Sequence, residues 1–309
     1  MMPAAIVSTA PAAALPGATT ADSGLSTDKG TCAAPVSAAG ACRLCGGAIT
    51  PAFSTRLLGR YTVCYGVCGQ CRSLQTETPH WLTEAYSRNL SSLDTGAAQR
   101  NLRNMAASYA VARVYAAHNL MDMGGGDGLL CRLLRDTGLN CHVRDRYAQP
   151  TYAQGFDCPD FDVPDMVTAF EVFEHLPDPA VDLVEFFAGR PRVVLASTEL
   201  YNGQGPDWWY ISAESGQHIF FYSRQALASV GACFGYGVVF SGEFVLFVRA
   251  DVDTRWRRLQ ATLLLKRKAC RWMAARLMLC AVPGVTADFE RRRLAAASTP
   301  QEELHEQPL

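Results

Sequence analysis

The sequence contains no stretch of about 18 uncharged apolar residues, the minimum that a membrane-spanning helix requires. It also has no excess of charge of either sign, because 28 basic residues stand against 29 acidic ones. A chain with a net charge of −1 is not expected to attract nucleic acid through its overall field. The opening stretch MMPAAIVSTAPAAALPG lacks the positive start and the long apolar segment of a secretory signal. These absences predict a soluble, cytoplasmic protein.

Cysteine is abundant instead, with twelve residues in the chain. Without export a disulfide framework is not expected, and clustered cysteines in a reducing compartment more often bind a metal ion. Cys42 and Cys45 form one Cys-x-x-Cys pair, and Cys68 and Cys71 form a second, with 22 residues between the pairs. Each turn places two thiolates close enough to share a tetrahedral ion, so the pairs predict a closed, structural Zn²⁺ site.

Two alternatives to this zinc site stay open. An iron–sulfur cluster also accepts four thiolates, although paired turns favour zinc. Cys64, four positions before Cys68, is a substitute ligand. The remaining cysteines lack partners in the sequence and are expected to be small buried apolar residues: Cys32, Cys131, Cys141, Cys158, Cys233, Cys270 and Cys280.

Changes in composition divide the chain into four predicted parts. Residues 1–40 are mainly Ala, Pro, Ser, Thr and Gly, and such a segment cannot bury enough apolar surface to fold. We therefore expect a disordered tail there. The other parts are a zinc-binding module at 41–80, an α/β domain at 81–250 that opens with helices over 81–117, and a basic helix with a frayed tail at 251–309.

Strands and helices alternate from residue 118 onward. The segments NLMDM, CHVRD, DMVTAFEV and PRVVLAST have the apolar character of buried strands, and a helical segment follows several of them. FGYGVVFS and EFVLFVRA then form a predicted hairpin through Gly242. This order predicts an α/β fold: a Rossmann-like doubly wound sheet, mainly parallel with an antiparallel terminal hairpin, plus the small N-terminal zinc module.

The stretch MDMGGGDGLL at residues 121–130 lies between the first of these strands and a predicted helix. Its glycines let the backbone approach a ligand closely, and three of them alternate: Gly124, Gly126 and Gly128. No Gly-Lys-Ser/Thr follows, which excludes a P-loop, and the dinucleotide pattern G-x-G-x-x-G fails at Leu129. Asp122, just before the glycines, would repel a pyrophosphate but suits a cationic or amine-bearing ligand. An ordinary glycine-rich turn is the alternative.

MDMGGGDG resembles the first motif of class I S-adenosylmethionine-dependent methyltransferases, and DMVTAFEVFEHLPDP resembles the segment around that family's fourth strand. The resemblance covers roughly residues 100–250. It implies S-adenosylmethionine as the cofactor, with the methionine portion at Asp122 and the glycine turn. The ribose would bind Asp145, which ends the second predicted strand. Phe170 and Glu171 would border the cofactor near the sulfonium.

One departure from the family's pattern lies between Asp145 and the strand DMVTAFEV. The family often has a helix, a strand and another helix there, whereas this chain has about 20 residues. We therefore expect the third strand to be abbreviated near Gly155–Asp157. The residues that contact adenine are not assigned by the resemblance.

A long segment, ELYNGQGPDWWYISAESGQHIFFYSRQAL, follows PRVVLAST. Long loops at the carboxyl ends of strands commonly carry the substrate site in open α/β sheets. His218 in this segment is expected to accept a proton from the methyl acceptor near neutral pH. Glu214, Glu174 and His175 are secondary candidates, and His175 equally fits a residue at the cofactor's edge. A hydrogen-bonded loop histidine is the structural alternative for His218.

The cysteine pairs, the methyltransferase motifs and the loop WWY…GQHIFFYS together resemble bacterial methyltransferases that act on sugars, including zinc-containing deoxysugar C-methyltransferases. In those enzymes a loop histidine is implicated in proton abstraction, and it corresponds to His218. The aromatic run at 208–210 is expected to form a platform for a sugar substrate. Those relatives usually carry a further C-terminal domain, whereas here only residues 251–309 follow the last predicted strand.

The sequence leaves other functions open. The methyl acceptor is alternatively another small molecule, such as a secondary metabolite. A methyltransferase-like binding protein without activity is a further alternative, but the intact glycine turn with Asp122 and Asp145 argues against it. An RNA methyltransferase would need basic residues around the cysteines, and residues 41–80 contain only four arginines.

Residues 255–282 form a predicted basic helix with eight Arg or Lys and no acidic residue. Trp, Leu and Met are mixed with these cations, so the helix is expected to pack on the core or on a second copy of the chain. Peripheral contact with an anionic membrane surface is the alternative. No nucleic-acid partner is expected.

Overall fold

The computed structural model describes residues 40–87, 95–280 and 283–298. These described residues belong to one compact unit. The disordered tail predicted for residues 1–40 lies almost entirely outside the described residues, and so does the end of the chain after residue 298.

A small antiparallel sheet begins after the first pair of cysteines. Its strands, in spatial order, are β1 (Ile49–Leu57), β2 (Tyr61–Cys68), β3 (Leu74–Thr76) and β8 (Phe220–Phe221). β1 and β2 form a hairpin that turns at Leu58 and Gly59, both with positive φ. β8 belongs to the long segment that follows the fourth predicted strand, and Phe221 pairs with Leu74. The predicted zinc module therefore shares its sheet with the predicted substrate loop.

The larger sheet has six strands. They are β4 (Asn119–Met123), β5 (Asn140–Arg144), β6 (Met166–Phe170), β7 (Val193–Ser197), β9 (Tyr236–Ser241) and β10 (Phe244–Arg249). Their spatial order is β5–β4–β6–β7–β10–β9. β4, β5, β6 and β7 pair in parallel, whereas β10 pairs antiparallel with both β7 and β9. The predicted parallel sheet with a terminal antiparallel hairpin is confirmed.

Helices cover both faces of this sheet. The described α-helices are α1 (Leu82–Ser87), α2 (Ala97–Tyr115), α3 (Leu129–Asp136), α4 (Pro179–Asp182), α5 (Val184–Phe187), α6 (Arg224–Phe234), α7 (Arg255–Leu264), α8 (Arg267–Leu279) and α9 (Pro283–Ser298). Side chains alternate between the faces of a strand, so neighbours in β7 enter different cores. Val193 and Leu195 belong to the core that includes residues of α2, α3, α7 and α8, whereas Val194 and Ala196 belong to the core that includes residues of α5 and α6. Burial on both faces explains the continuous apolar strands and confirms the doubly wound arrangement.

The connection from β5 to β6 contains no strand. A single backbone hydrogen bond continues the sheet at this edge, from the Val143 N–H to the Phe156 carbonyl at 2.9 Å. A short 3₁₀ turn, Thr151–Ala153, precedes it and packs against α3. The abbreviated strand predicted near Gly155–Asp157 is thus reduced to one hydrogen-bonded residue.

The basic region predicted as one helix over 255–282 consists of α7 and α8 and ends just before α9. Lys266 has an extended backbone, which interrupts the helical hydrogen bonds between α7 and α8. α9 occupies part of the tail that was expected to be frayed. Asp288 anchors it, because its carboxylate accepts two hydrogen bonds of 2.7 Å from the guanidinium of Arg135 on α3. A buried ion pair of this kind orders a segment that is otherwise polar.

The aromatic residues of the basic helices remain on the surface. Trp256 is 66% exposed and Trp272 is 69% exposed. Contact with a membrane surface or with a second copy of the chain through residues 255–282 stays a prediction. None of the described helices is long and apolar enough to cross a membrane.

The isolated cysteines do not all follow the expectation of burial. Three are buried: Cys131, Cys141 and Cys270. Three others are exposed: Cys158, Cys233 and Cys280. Cys158 lies in the connection to β6, Cys233 near the end of α6 and Cys280 at the C-cap of α8, where no second layer covers them. Cys32 lies outside the described residues.

Replacing Asp288 with asparagine should lower the free energy of unfolding by about 2 kcal/mol, because Arg135 loses its charged partner while only 4% exposed. Urea unfolding followed by circular dichroism measures the change. The matched control Glu290→Gln breaks an exposed ion pair with Arg293 and should change the free energy by less than about 1 kcal/mol. Equal losses in the two variants would contradict the docking of α9 through Asp288.

Candidate active site and cysteine centre

The four predicted zinc ligands converge at the edge of the small sheet. The Sγ atoms of Cys42 and Cys71 are 3.6 Å apart, and those of Cys45 and Cys68 are 3.5 Å apart. All four Sγ atoms lie within 4.8 Å of one another. Zn–S bonds of about 2.3 Å in a tetrahedron place sulfur atoms about 3.8 Å apart, so these cysteines fit one Zn²⁺ and are too distant for disulfides. Cys64 lies outside this group.

Arg43, between the first two cysteines, connects this cysteine centre to the larger domain. Its guanidinium donates hydrogen bonds to the carbonyls of Ile219, at 2.6 Å, and Pro177, at 3.1 Å. Ile219 directly follows His218, and Pro177 lies two residues after His175. The cysteine centre therefore helps to position both segments that carry the candidate histidines.

The glycine turn joins β4 to α3. Its alternating glycines all have positive φ, a conformation that only glycine adopts easily: Gly124, Gly126 and Gly128. Asp122 is buried beneath the turn, where one carboxylate oxygen accepts a hydrogen bond from the Thr168 hydroxyl at 2.7 Å. The other oxygen has no hydrogen-bond partner among the described residues. Burial, together with the nearby charge of Asp145, raises the pKa of Asp122 to about 7, and a cation above the turn would favour its charged form.

Asp145 follows β5 and closes the turn from one side. Its Oδ2 accepts a hydrogen bond from the Gly126 N–H at 2.9 Å. Its Oδ1 accepts from the N–H groups of Tyr147 and Ala148, at 2.7 and 2.9 Å. Each carboxylate oxygen has two lone pairs, so Oδ2 keeps one acceptor position for a ligand hydroxyl.

A cavity of about 330 Å³ opens at the carboxyl ends of β4, β5 and β6. Four residues predicted from the sequence share its wall: Gly124, Asp145, Glu171 and His175. Tyr86 and Tyr147 also line the cavity, with their rings stacked at a centroid distance of 4.6 Å. The structure thus brings together residues from three strand ends and one leading helix.

The side chain of Glu171 lines the cavity, whereas that of Phe170 packs away from it. Glu171 lies just after β6 with a left-handed φ of 55°, and it lines the cavity. Phe170, the last residue of β6, is not part of the cavity wall and contacts Phe244 edge-on at a centroid distance of 6.0 Å. Side chains alternate along a strand, which separates these two neighbours. Gly128 is also outside the wall and begins α3 against Ala153.

Two carboxylates and a tyrosine form a hydrogen-bonded network at the cavity, in which Glu174 and Tyr210 are buried and Glu171 is half-buried. The Tyr210 hydroxyl lies 2.6 Å from Oε1 of Glu174 and 3.0 Å from Oε2 of Glu171. The Ser197 hydroxyl donates to Oε1 of Glu171 at 2.5 Å. Oε2 of Glu174 is buried and has no hydrogen-bond partner among the described residues. Burial and the negative charge of Glu171 raise the pKa of Glu174 to about 8.

His175 and His218 meet beside these acids, with 4.8 Å between their ring centroids. Nδ1 of His218 lies 2.7 Å from the Tyr210 carbonyl oxygen, so its N–H donates there and Nε2 keeps a free lone pair. Nδ1 of His175 lies 3.3 Å from the Tyr86 hydroxyl. Burial lowers the pKa of both histidines, to about 3 for His175, which keeps both rings neutral at pH 7. Glu214 is exposed and lies outside this group.

A family model described as a methyltransferase domain matches residues 80–239. The matched range is more than half of the 309 residues and contains the glycine turn, the cavity and both histidines. The chain belongs to this methyltransferase family. A comparison with curated proteins finds no match.

The methyltransferase also has similarity to solved structures. The methyltransferase domain of bacterial CtHen1-C has 19% identity and a TM-score of 0.35, over 48% of this chain and 98% of that one. Magnesium protoporphyrin IX methyltransferase from Synechocystis PCC 6803 has 13% identity and a TM-score of 0.35, over 55% and 93%. Human N-acetylserotonin methyltransferase has 15% identity and a TM-score of 0.34, over 55% and 65%. Similarities of this size say nothing about the substrate of this methyltransferase.

Two tyrosines belong to the site of the methyltransferase in positions that no sequence pattern predicts. Tyr86 reaches the cavity from α1, and its ring position depends on tertiary packing alone. Tyr210 lies in the aromatic run expected to form a platform, but it is 1% exposed and serves the acidic network instead. Trp208 packs on Phe221, so Trp209 is the exposed aromatic residue of the run, at 72%.

Replacing Cys68 with serine should release the metal from the methyltransferase, because three thiolates leave a tetrahedral zinc site incomplete. Elemental analysis of the purified protein should give about one zinc ion per wild-type chain and much less in the variant. The matched control Cys233→Ser changes an exposed cysteine on α6 and should retain the zinc. Unchanged zinc content in Cys68→Ser, or a wild type without zinc, would refute the site.

Proposed function

We propose that this protein is an S-adenosylmethionine-dependent methyltransferase whose cofactor occupies the cavity at the carboxyl ends of β4, β5 and β6. The observation that carries the proposal is the convergence of Gly124, Asp145 and Glu171 on one cavity within the family-matched range. When bound, S-adenosylmethionine supplies a methyl group on a positively charged sulfonium. The protein's part is to align the acceptor, exclude water and remove a proton from the acceptor.

The residues around the cavity fit the chemical groups of this cofactor. Asp145 has a free acceptor position for a ribose hydroxyl. The carboxylate of Asp122 beneath the turn favours the ammonium group of the methionine portion. The carboxylate of Glu171 in the cavity wall provides negative charge that favours the sulfonium. A Cβ atom at Gly124 would lie 2.6 Å from Val172, so glycine keeps this wall open.

For the methyl acceptor we propose a sugar or glycan. A second cavity, of about 870 Å³, lies between the cysteine module and the long segment after β7. Its wall shares no residue with that of the cofactor cavity, so it suits the part of a glycan that lies away from the methylated group. Arg72, Tyr201, Asn202 and Gln225 contribute to its wall. Polar groups beside an aromatic ring suit a ligand rich in hydroxyl groups. Another small molecule, such as a secondary metabolite, is the alternative acceptor for the same chemistry.

For proton removal we propose His218 as the base of the metal-free protein. Burial lowers its pKa, so the ring is neutral and able to accept a proton near pH 7. The hydrogen bond to the Tyr210 carbonyl fixes the tautomer and leaves Nε2 as the accepting atom. His175 and the exposed Glu214 are the weaker candidates, since His175 contacts Tyr86 and Glu214 stands apart from the acidic network.

Incubation with methyl-deuterated S-adenosylmethionine tests this function directly. Sugars, nucleotide sugars and small metabolites are supplied as pools, and mass spectrometry should find one acceptor that gains a labelled methyl group. His218→Ala should transfer the label at least about 100-fold more slowly, because it lacks the proton-accepting ring. The control His118→Ala alters an exposed histidine and should be fully active.

The outcomes separate the candidate functions. Full activity of His218→Ala would remove this histidine from the reaction. Label on a metabolite that is not a sugar would favour the alternative acceptor. Cofactor binding without transfer to any pool would favour a non-catalytic binding protein and contradict the proposed enzyme.

A further inference from the structure

Glu174, His175 and His218 form a cluster that simple methyl transfer does not require. One potential ligand atom from each residue lies within 4.8 Å of the others. Among the described residues, the cysteine centre has the same property, but its thiolates are soft ligands suited to zinc. The second cluster offers imidazole and carboxylate ligands, which suit harder divalent cations.

The buried carboxylate of Glu174 indicates that a positive charge belongs in this cluster. Tyr210 donates to one oxygen, while the other oxygen is buried without a hydrogen-bond partner among the described residues. Glu171 brings a second carboxylate, because the same Tyr210 hydroxyl lies 3.0 Å from it. Within the described ranges, no Lys or Arg forms an ion pair with either acid. A buried carboxylate without a cation, such as Glu174, is costly, and a metal ion removes that cost.

Hydrogen bonds orient the two histidines in a way that suits metal binding. His218 donates its Nδ1–H to the Tyr210 carbonyl, which is the arrangement that orients a metal-binding imidazole through its second nitrogen. Nδ1 of His175 is held 3.3 Å from the Tyr86 hydroxyl. The ring centroids of the two histidines are 4.8 Å apart, so their remaining nitrogens can approach one ion.

We propose that Glu174, His175 and His218 bind one divalent cation beside the cofactor cavity, with Glu171 as a further carboxylate ligand. Two imidazoles and one or two carboxylates leave coordination positions open on a six-coordinate ion such as Mn²⁺. The wall of the cofactor cavity contains His175 and Glu171, so these open positions lie next to the proposed methyl donor.

The role of the cation rests on the proposed methyltransferase function. An acceptor hydroxyl that coordinates the ion loses its proton to water more readily. Its oxygen then forms a bond to the methyl carbon, the carbon–sulfur bond breaks with its electron pair on sulfur, and the sulfonium becomes a neutral thioether. In the metal-bound protein His218 is a ligand of the cation and does not act as the base. The cation then promotes the loss of the acceptor's proton, which His218 accepts in the metal-free protein.

Electron paramagnetic resonance with Mn²⁺ tests the site without cofactor or acceptor. The zinc-loaded full chain is titrated with Mn²⁺, and free Mn²⁺ is read from its signal. The wild type should bind about one Mn²⁺ per chain. Glu174→Gln, which keeps the shape but cannot supply a carboxylate ligand, and His218→Ala should each weaken binding at least about tenfold. His118→Ala is the exposed histidine control and should bind as the wild type does.

Two results would overturn the proposal: no stoichiometric Mn²⁺ binding, or equal binding by wild type, Glu174→Gln and His218→Ala. Circular dichroism of the variants checks that they fold, and Glu174→Gln remains informative if His218→Ala does not. The methyl-transfer assay separates this proposal from the enzyme function. Transfer at full rate by protein that holds zinc but no second cation would reject the role of the cation in the reaction and leave the methyltransferase intact.

Discussion

The parallel pairing of β4, β6 and β7 determines which side chains meet at the site. In this register Asp122 lies opposite Thr168, and Phe170 lies opposite Ser197. The Thr168 hydroxyl can therefore hold the buried carboxylate of Asp122, and the Ser197 hydroxyl can hold Glu171 just after the end of β6. Because parallel strands end at the same edge of the sheet, the glycine turn and Glu171 open onto one cavity, and Asp122 lies buried beneath the turn.

The cysteine centre also fixes the position of the long segment after β7. Arg43 donates to the carbonyls of Ile219 and Pro177, and β3 pairs with β8. Arg43 lies in the turn between Cys42 and Cys45, and these two cysteines belong to the four that fit Zn²⁺. A structural metal ion would thus hold His218 close to His175, although it takes no part in the methyl transfer itself. This coupling gives a physical reason for a cysteine module on a methyltransferase domain.

Local patterns in the sequence predict much of this molecule. The paired Cys-x-x-Cys turns, the glycine turn after a strand and the acid after the next strand each depend on short-range spacing, and the structure brings Gly124, Asp145 and Glu171 to one cavity. The alternation of strands and helices likewise predicts the parallel sheet and its antiparallel hairpin. Such features need no knowledge of distant contacts.

Contacts between distant segments could not be predicted in the same way. Tyr86 contacts His175 although the two residues are 89 positions apart in the sequence. Tyr210 contacts Glu174 from a segment that has neither a helical nor a strand-like pattern of apolar residues. α9 is held in place by the ion pair between Asp288 and Arg135. The sequence around Asp288 does not indicate this partner, because Arg135 lies on the distant helix α3. β8 has two residues, too few for an alternating pattern, and it forms because β3 offers an open edge. Each of these features is decided by tertiary packing.

Calorimetric titration with S-adenosylhomocysteine, the demethylated form of the proposed cofactor, tests the central claim most directly. The account predicts saturable binding of one ligand per chain. Asp145→Asn should bind about tenfold more weakly, because it loses a charge-assisted hydrogen bond to the ribose. Asp162→Asn, a change at an exposed aspartate, should bind as the wild type does. A folded wild type that releases no heat of binding, or an Asp145→Asn variant with unchanged affinity, would contradict the proposed cofactor site.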